Sequence, residues 1–499
     1  MTPARATKER PQQPFLIGVA TSGYQIEGGF NGEGEPHNNW ALWERTGRAA
    51  RSGVAAMFWE HPEEALDRAA SLGCNAFRLS VEWARLEPQA DQFDQAALER
   101  YGEILSMCQA RGLVPIVTLH HFTHPWWLGE EFWLRPASPE RFARHVARVV
   151  AALSPWCGHW VTINEPNIVM LMGWIEGSCP PGRRMAVADA YCVLDNMLTA
   201  HVLATDVIVG IQPEAVIACN TSASSIYEHD RLLTDLLLLG AAGIDPGEVD
   251  RYVDERRAMH DALFPPQHLG ELLLRRYFAA ISPYGTVNPG GGRLFPLVRS
   301  RARRPATRRV VEAVHAAKTV RPLGPIGFDF YDPVASRATR WPGYRDGQGQ
   351  WVWSPGREIW DVPADPPGLL RWCHDTAAFY PDHPLWVVEN GMATRVRDDG
   401  RGEARADGWQ RPRFIREYLD AVGDAVERGT PVQAYLHWSL VDNYEWGSYQ
   451  PRLGLFGMER FGDGSARWLD TDAQGLDAPG EFARSITALR SRLAAAAAG

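Results

Sequence analysis

Two glutamates stand at places in the sequence where a carboxylate could do chemistry. Glu165 lies in Thr-Ile-Asn-Glu-Pro (162–166), and Glu389 lies in Val-Val-Glu-Asn-Gly (387–391). Each follows an apolar, β-branched run and precedes residues that end a strand, so each side chain is predicted to leave the end of a sheet. Two such carboxyl groups suit a general acid and a nucleophile that converge on one glycosidic bond. The pair therefore indicates an enzyme that cleaves glycosides.

Eight short apolar runs are predicted to be the strands that position these groups. Their hydrophobicity is continuous rather than alternating, which is typical of strands covered on both faces, as in parallel sheets. The runs are Phe15–Ser22, Ala76–Trp83, Val114–His121, His159–Pro166, Ala215–Ser222, Pro325–Tyr331, Leu385–Gly391 and Val432–Leu440.

Helical patterns separate these runs. Apolar residues recur at helical spacing in Ala96–Arg111, Pro139–Leu153 and Arg411–Gly429. Eight strands that alternate with helices predict an α/β fold, a single (β/α)8 TIM barrel with long loop insertions over its C-terminal face. We expect the barrel to span residues 15–492, with insertions near 223–324 and 341–368 that hold extra helices. A flexible segment, 1–14, and an Ala-rich tail, 493–499, are expected to flank it.

Polar residues gather at the C-terminal ends of the predicted strands. In (β/α)8 barrels that end is the face where active sites are built. The polar and aromatic residues at or just past these ends are Gln25, Arg78, His121, Asn164, Glu165, Asn220, Tyr331, Glu389 and Trp438. The sequence therefore predicts one site on one face of one barrel.

Composition narrows the class of partner. The 499 residues carry a formal net charge of −9, which argues against nucleic acid because phosphates need a basic surface. The arginine-rich stretch 299–309 is interpreted as a solvated helix start rather than a polyanion site. The seven cysteines show no CxxC spacing. With no apolar signal region at the start and no stretch of about 18 apolar residues, we expect a cytoplasmic protein without a membrane span.

Four motifs in one order carry a resemblance to a known family. They are Gly18–Gly28, Phe77–Trp83, Thr162–Asn167 with Val388–Gly391, and His437–Trp446. With these motifs the chain resembles glycoside hydrolase family 1, the β-glucosidase family of retaining enzymes, over nearly its whole length. The resemblance implies a small β-glycoside as substrate and no metal or organic cofactor. It leaves the oligomeric state open.

The resemblance also implies a role for each matching residue. Glu165 is similar to the family's general acid/base, and Glu389 is similar to its nucleophile. Asn164 resembles the residue that bonds the sugar 2-hydroxyl, and Arg78 and Tyr331 resemble the pair that flanks the nucleophile. The remaining residues resemble groups that bind the non-reducing sugar, namely Gln25, His121, Glu445, Trp446 and the stacking floor Trp438. Asn220 matches a position that contacts the leaving group in relatives, with capping of a turn as the alternative.

Three departures from the family pattern lie near the predicted site. The usual His-Trp-Asp reads His121-Phe122-Thr123, so Phe122 lacks an indole N–H donor. The usual Asn-Tyr-Tyr begins with Asp329, a possible charge that could raise the pKa of Glu389. An arginine, Arg357, replaces the tryptophan of the aglycone platform and could meet an acidic leaving group. We therefore expect an ordinary site for the sugar and a specialised site for the leaving group.

One further residue bears on the substrate. Family members that act on 6-phosphosugars lack the glutamate found here as Glu445, and a carboxylate repels phosphate, so an unphosphorylated sugar is favoured. The sequence thus predicts a retaining, β-glucosidase-like hydrolase. A transglycosidase with the same two glutamates is the first alternative, and a non-catalytic sugar-binding barrel is the second. A metal site at His120, His121 and His124 is disfavoured because adjacent strand residues point to opposite faces.

Overall fold

Eight parallel strands close into a barrel in the computed structural model of the protein. They are β1 (Leu16–Ala20), β2 (Ala76–Ser80), β3 (Val114–Thr118), β4 (His159–Asn164), β5 (Val216–Ser222), β6 (Ile326–Asp329), β7 (Leu385–Asn390) and β8 (Val432–Trp438). Each strand pairs with its neighbour in the sequence, and β8 pairs with β1 to close the ring. The predicted (β/α)8 fold and all eight predicted strands are confirmed.

The structure describes residues 14–266, 269–286, 308–319, 322–331, 344–345, 351–352, 359–362, 364–396, 402–462 and 464–498. Short strands outside the barrel form three small sheets: Thr394–Val396 with Gly402–Glu403 and Pro451–Arg452, Met458–Arg460 with Ala466–Trp468, and Tyr344–Arg345 with Trp351–Val352. Helical elements occur between and after the barrel strands. They are Gly23–Ile26, Asn39–Arg45, Pro62–Ser71, Trp83–Leu86, Gln95–Ala110, Trp126–Leu128, Phe132–Leu134, Ser138–Leu153, Pro166–Met170, Leu171–Glu176, Val187–Ile211, Arg231–Leu237, Val249–Leu263, Leu269–Ile281, Arg309–Ala316, Ile359–Asp361, Pro366–Phe379, Arg411–Glu427 and Ala478–Ala498.

The three helices predicted from apolar spacing are confirmed with small shifts at their ends. The first, Gln95–Ala110, begins one residue earlier than predicted because the side chain of Asp94 accepts a hydrogen bond from the Ala97 backbone N–H at 2.9 Å. Its buried face includes Leu98, Tyr101 and Leu105, as the spacing predicted. Local sequence therefore sets the start of this helix, and burial of one face holds it on the barrel.

The insertion at 223–324 contains four helices within its described part, namely Arg231–Leu237, Val249–Leu263, Leu269–Ile281 and Arg309–Ala316. The last of these begins in the arginine-rich stretch. Arg308 donates to Asp250 at 2.7 Å, and Arg309 donates to Glu140 at 2.7 Å. These two arginines are therefore paired with acids, and the other arginines of the stretch lie outside the described residues.

One buried helix bears on the expectation that the chain has no membrane span. Helix Val187–Ile211 is long and apolar enough, by length and composition, to cross a membrane. However, 72% of its most apolar window is buried, and it packs against helices Ser138–Leu153 and Arg309–Ala316. Its apolar side chains are covered by the protein itself, so the helix is weak evidence for a membrane span. The cytoplasmic location stays a prediction.

The register of the strands brings polar side chains to one rim of the barrel. Asn164 on β4 lies beside Asn220 on β5, and Asp329 on β6 lies between Ser222 on β5 and Glu389 on β7. Because parallel strands end on the same side of a sheet, residues far apart in the chain become neighbours. The site is a product of this register.

A close backbone approach supports the rim beside the nucleophile strand. A Cβ built on Gly391 would overlap the carbonyl oxygen of Trp438. Only glycine therefore fits directly after β7, where the chain passes the end of β8.

Candidate active site

Glu389 is buried and held by two hydrogen-bond donors. Arg78 donates to Oε1 through Nη1, and the Tyr331 hydroxyl donates to Oε2 at 2.7 Å. Burial raises the pKa of Glu389, whereas the charge and hydrogen bond of Arg78 and the hydrogen bond of Tyr331 lower it. Both oxygens thus have a partner that stabilises the ionised form, which is the form a nucleophile needs.

The guanidinium that pairs with Glu389 is itself fixed in place. Arg78 donates from Nε to the Thr118 hydroxyl at 2.9 Å and from Nη2 to Asn164 Oδ1 at 2.6 Å. The side chain has no exposed surface. With three anchors, the cation cannot turn away from the carboxylate without breaking buried hydrogen bonds.

Glu165 adopts a left-handed backbone at the end of β4. Its φ is 40°, and its backbone N–H donates to the carbonyl oxygen of Asn220 at 3.0 Å. A left-handed conformation is uncommon for a residue with a side chain, and such positions are concentrated at functional sites. Pro166 follows as the first residue of helix Pro166–Met170. The turn directs the Glu165 side chain over the same rim as Glu389.

Burial and then repulsion from Glu389 raise the pKa of Glu165 to about 8. Hydrogen bonds from Ser222 and Asp329 and the charge of Arg78 oppose this rise. Glu165 is therefore neutral near pH 7, beside a carboxylate with two donors. A neutral and an ionised carboxyl group in one buried site can supply a proton and a nucleophile to the same bond.

Asn164 presents a defined face to the site. Its Oδ1 accepts from Arg78 at 2.6 Å and from Asn220 Nδ2 at 2.7 Å. Because the carbonyl oxygen of the amide is occupied by two donors, the opposite atom, Nδ2, is the one left to donate to a ligand. The two bonds also settle which way the amide points.

A second group of side chains surrounds Glu445. The carboxyl Oε2 accepts from Gln25 Nε2 at 3.2 Å and from Trp438 Nε1 at 3.1 Å. The ring of His121 stacks on Trp438 with centroids 5.6 Å apart and planes 7° apart. Burial, together with repulsion from Glu389, raises the pKa of Glu445 to about 8 against the hydrogen bond from Trp438. The structure thus brings together four of the side chains that the resemblance assigns to sugar hydroxyls and ring.

Phe122, at the first departure from the family pattern, lies against aromatic rings. Its centroid is 5.2 Å from that of Trp446, 5.0 Å from that of His121 and 5.4 Å from that of Trp40. The next residue, Thr123, donates a hydrogen bond to the buried Glu82. This part of the wall is therefore held by ring packing and carries no indole N–H at position 122.

Asn220 lies in the wall of the site, and the hydrogen bonds of its side chain go to two other side chains rather than to a turn. Its Nδ2 donates to Asn164 Oδ1 and to Asp329 Oδ2.

Asp329 is fully buried, and burial raises its pKa well above the ordinary value, with further rises from Glu389 and then Glu165. The sequence predicted that the charge of Asp329 could raise the pKa of Glu389. In the structure the pKa of Glu389 is raised by burial instead. Arg357 lies outside the described residues.

Two residues of the site were missed in the sequence. A hydrogen bond from Ser222 lowers the pKa of Glu165, and Thr118 accepts a hydrogen bond from Arg78. Both lie on predicted strands, but Ser and Thr on strands are common, so nothing in their type separated them from packing residues. Only the register shows what they face.

The three neighbouring histidines face different partners. His120 Nε2 accepts from Trp133 Nε1 at 3.2 Å, His121 stacks on Trp438, and His124 Nε2 lies 3.0 Å from the carbonyl oxygen of Gly129. Within the described ranges, no group of three or more His, Cys, Asp or Glu side chains is arranged to hold a metal ion.

Comparison with known proteins gives the family. The glycosyl hydrolase family 1 profile matches residues 7–237 and 347–472. A 6-phospho-β-galactosidase from Streptococcus pneumoniae is 27% identical over 485 residues, covering 91% of this chain and 96% of the relative. Coniferin β-glucosidase from Pinus contorta is 26% identical over 511 residues, covering 95% of each chain.

Solved structures show the same fold. The β-glucosidase from Thermotoga maritima in complex with azafagomine superposes with a TM-score of 0.69 at 19% identity, covering 97% of this chain and 99% of that one. Because the profile spans well over half of the sequence, this chain belongs to glycosyl hydrolase family 1 and is a glycosidase of the retaining β-glycosidase type.

Proposed function

We propose that the protein hydrolyses an unphosphorylated β-D-glycoside, of the β-glucoside type, by double displacement. Glu389 is the nucleophile and Glu165 is the general acid/base. This assignment rests on the different surroundings of the two carboxyl groups, which favour the ionised form of Glu389 and the protonated form of Glu165. Arg78 and Tyr331 both donate to Glu389, whereas burial and the repulsion of Glu389 raise the pKa of Glu165 to about 8.

Two steps follow from these protonation states. In the first, a Glu389 oxygen bonds to the anomeric carbon while Glu165 gives its proton to the departing oxygen, so the glycosidic bond breaks and an alcohol leaves. The glycosyl ester removes the negative charge of Glu389, which removes the repulsion that kept Glu165 neutral. In the second step Glu165 takes a proton from water as the water oxygen attacks the anomeric carbon, and Glu389 is released as a carboxylate.

The charges around Glu445 support an unphosphorylated sugar. The side chains proposed to hold the sugar are Gln25, His121, Trp438, Glu445 and Trp446, and none is a lysine or arginine. Burial, and then the nearby Arg78, lower the pKa of His121 well below its ordinary value, so it is neutral. A buried phosphate dianion needs a cationic partner, and these side chains supply none.

A phosphorylated galactoside is the second candidate, because a relative of nearly equal length is named a 6-phospho-β-galactosidase. One experiment distinguishes the two candidate substrates. We expect turnover of p-nitrophenyl β-D-glucoside and no comparable turnover of p-nitrophenyl β-D-galactoside 6-phosphate. A higher kcat/KM for the phosphorylated compound would reverse the choice of substrate but leave the two glutamates in their roles.

Azide rescue tests the assignment of the two glutamates. We expect Glu389→Ala and Glu165→Ala to lower the hydrolysis of glycosides with poor leaving groups by at least about 10³-fold. Azide is small enough to enter the space each variant leaves. With an activated aryl glycoside, it should give an α-glycosyl azide in Glu389→Ala and a β-glycosyl azide in Glu165→Ala, because each space lies on one face of the sugar.

The surface variant Glu140→Ala is the control and should match the parent protein. Exchange of the two azide products between the variants would mean that the roles are reversed. Unchanged hydrolysis in both variants, with folding shown by circular dichroism, would favour the non-catalytic barrel instead.

The leaving-group half of the site is proposed to be specialised around Asn220 and Arg357.

Hydrolysis and transfer differ in whether water or another hydroxyl attacks the glycosyl ester. Equal amounts of nitrophenol and free sugar are expected for hydrolysis. A deficit of free sugar when alcohols are added would indicate the transglycosidase.

A further inference from the structure

A third buried carboxyl group lies in the site beside the proposed acid and nucleophile. Asp329 ends β6 and has no exposed surface. Its neighbours in the strand register are Ser222 and Glu389, and Asn220, which donates to its side chain, also accepts from the Glu165 backbone N–H. A hydrogen bond with Asp329 lowers the pKa of the Glu165 carboxyl. The family pattern has asparagine here, so the reaction does not call for this carboxyl group in general.

The contacts of the two Asp329 oxygens differ. Oδ2 accepts from Asn220 Nδ2, whereas Oδ1 is buried and has no hydrogen-bond donor among the described residues. Two carboxyl groups in contact can form a hydrogen bond only if one of them carries a proton. At rest the proton of Glu165 can supply that bond, but once Glu165 has given its proton to the leaving oxygen, only a proton on Asp329 can keep it.

The charge of the site favours a neutral Asp329. The titratable and charged groups that face it are Glu165, Glu389, Arg78, Tyr331 and Cys219. Arg78 is the one cation in this set, and it is bound directly to Glu389. With Glu389 ionised, ionisation of Asp329 would put a second negative charge in a buried site that holds one cation, which burial strongly disfavours.

We propose that Asp329 is a positioning residue that stays protonated through the reaction and donates a hydrogen bond to Glu165. The proposal rests on the proposed role of Glu165 as acid/base. When Glu165 has given its proton to the leaving oxygen, its carboxylate keeps the hydrogen bonds from Asp329 and Ser222. Asp329 neither gains nor loses a proton in either step, so the proton count of the two-step cycle is unchanged.

Three variants separate this role from its alternatives through the pH profile of kcat/KM. Asp329→Asn keeps a donor of the same shape, so the alkaline limb should stay within about 0.3 pH units of the parent protein. Asp329→Leu removes the donor and should move the limb to higher pH by about 1 to 2 units, the effect of one buried hydrogen bond to a carboxylate. Ser222→Ala removes the other donor and should move the limb in the same direction.

The direction of the shifts decides the outcome. If Asp329 were ionised, both Asp329→Asn and Asp329→Leu would remove a negative charge and move the limb to lower pH, which would overturn the proposal. An unmoved limb in both variants would mean that Asp329 only packs, which also overturns it.

Infrared spectroscopy tests the proton directly and does not depend on activity or on the role of Glu165. The difference spectrum between the parent protein and Asp329→Asn at pH 7 should show the C=O band of a protonated carboxyl group. The same difference is taken in a Glu165→Gln background, so that the band cannot come from Glu165. A carboxylate band in its place would refute the proposal for Asp329 even if Glu165 proves to be the acid/base. Conversely, the C=O band would still show a proton on Asp329 if azide rescue refuted the role of Glu165 as acid/base.

Discussion

Removing the Tyr331 hydroxyl tests whether the donors around Glu389 set its protonation. In Tyr331→Phe the carboxylate loses the hydrogen bond at 2.7 Å and keeps only that of Arg78. A hydrogen bond to a charged group contributes about 1.5–3 kcal/mol. Because one pKa unit corresponds to about 1.4 kcal/mol, the pKa of Glu389 should rise by about 1 to 2 units.

The rise should appear in one limb of the pH profile. Glu389 must be ionised to attack, so the acid limb of kcat/KM should move to higher pH by about 1 to 2 units, with a loss of about 10- to 100-fold below the limb. Above the limb the loss should be smaller, because the hydrogen bond to Glu389 weakens as its charge passes into the new bond.

The assay is hydrolysis of p-nitrophenyl β-D-glucoside from about pH 4 to about pH 9, a range that brackets ordinary carboxyl pKa values and that of Glu165. Tyr435→Phe is the matched control, since its buried hydroxyl donates to Asn390 at 2.8 Å and not to Glu389. An acid limb that stays in place in Tyr331→Phe would refute the reasoning. Equal shifts in both variants would show a general loss of packing.

Three further predictions follow from single groups. The pKa of about 8 for Glu165 predicts that kcat/KM falls as the pH rises through about 8, and this limb should vanish in Glu165→Gln with an activated aryl substrate. For Glu445, burial raises the pKa from 4.5 to about 8, so the folded state holds an extra proton between these values. The contribution of this proton to the free energy of unfolding is full below about pH 4.5 and is lost as the pH rises to about 8, at about 1.4 kcal/mol per pH unit. In urea titrations, the free energy of unfolding of Glu445→Gln should lack this dependence on pH. Gly391→Ala should lower the free energy of unfolding by about 1–3 kcal/mol or more through overlap with Trp438, whereas Gly210→Ala, which meets nothing within 4 Å on its helix, should leave it unchanged or higher in the same urea titrations.

Much of the fold could be predicted because parallel barrel strands are apolar along their whole length. The runs that became β1 to β8 are recognisable for that reason, and polar residues at their ends mark the functional rim. Helix Val187–Ile211 shows the limit of the same signal, since burial against neighbouring helices and burial in lipid favour similar residues. Composition alone does not distinguish what covers an apolar surface.

The family, the barrel and the strand-end positions of Glu165 and Glu389 could be predicted because each depends on motifs and patterns that are local in the chain. The surroundings of each carboxyl group, by contrast, could be seen only once the chain was folded. The contact of Asp329 with Glu165 joins residues 164 positions apart (329 − 165), and the same holds for Ser222 and for Thr118 beneath Arg78. These contacts depend on strand register and side-chain direction, which local sequence does not encode. They also set the protonation of the site, because the pKa of a buried acid depends on the charges and donors within a few ångströms of it.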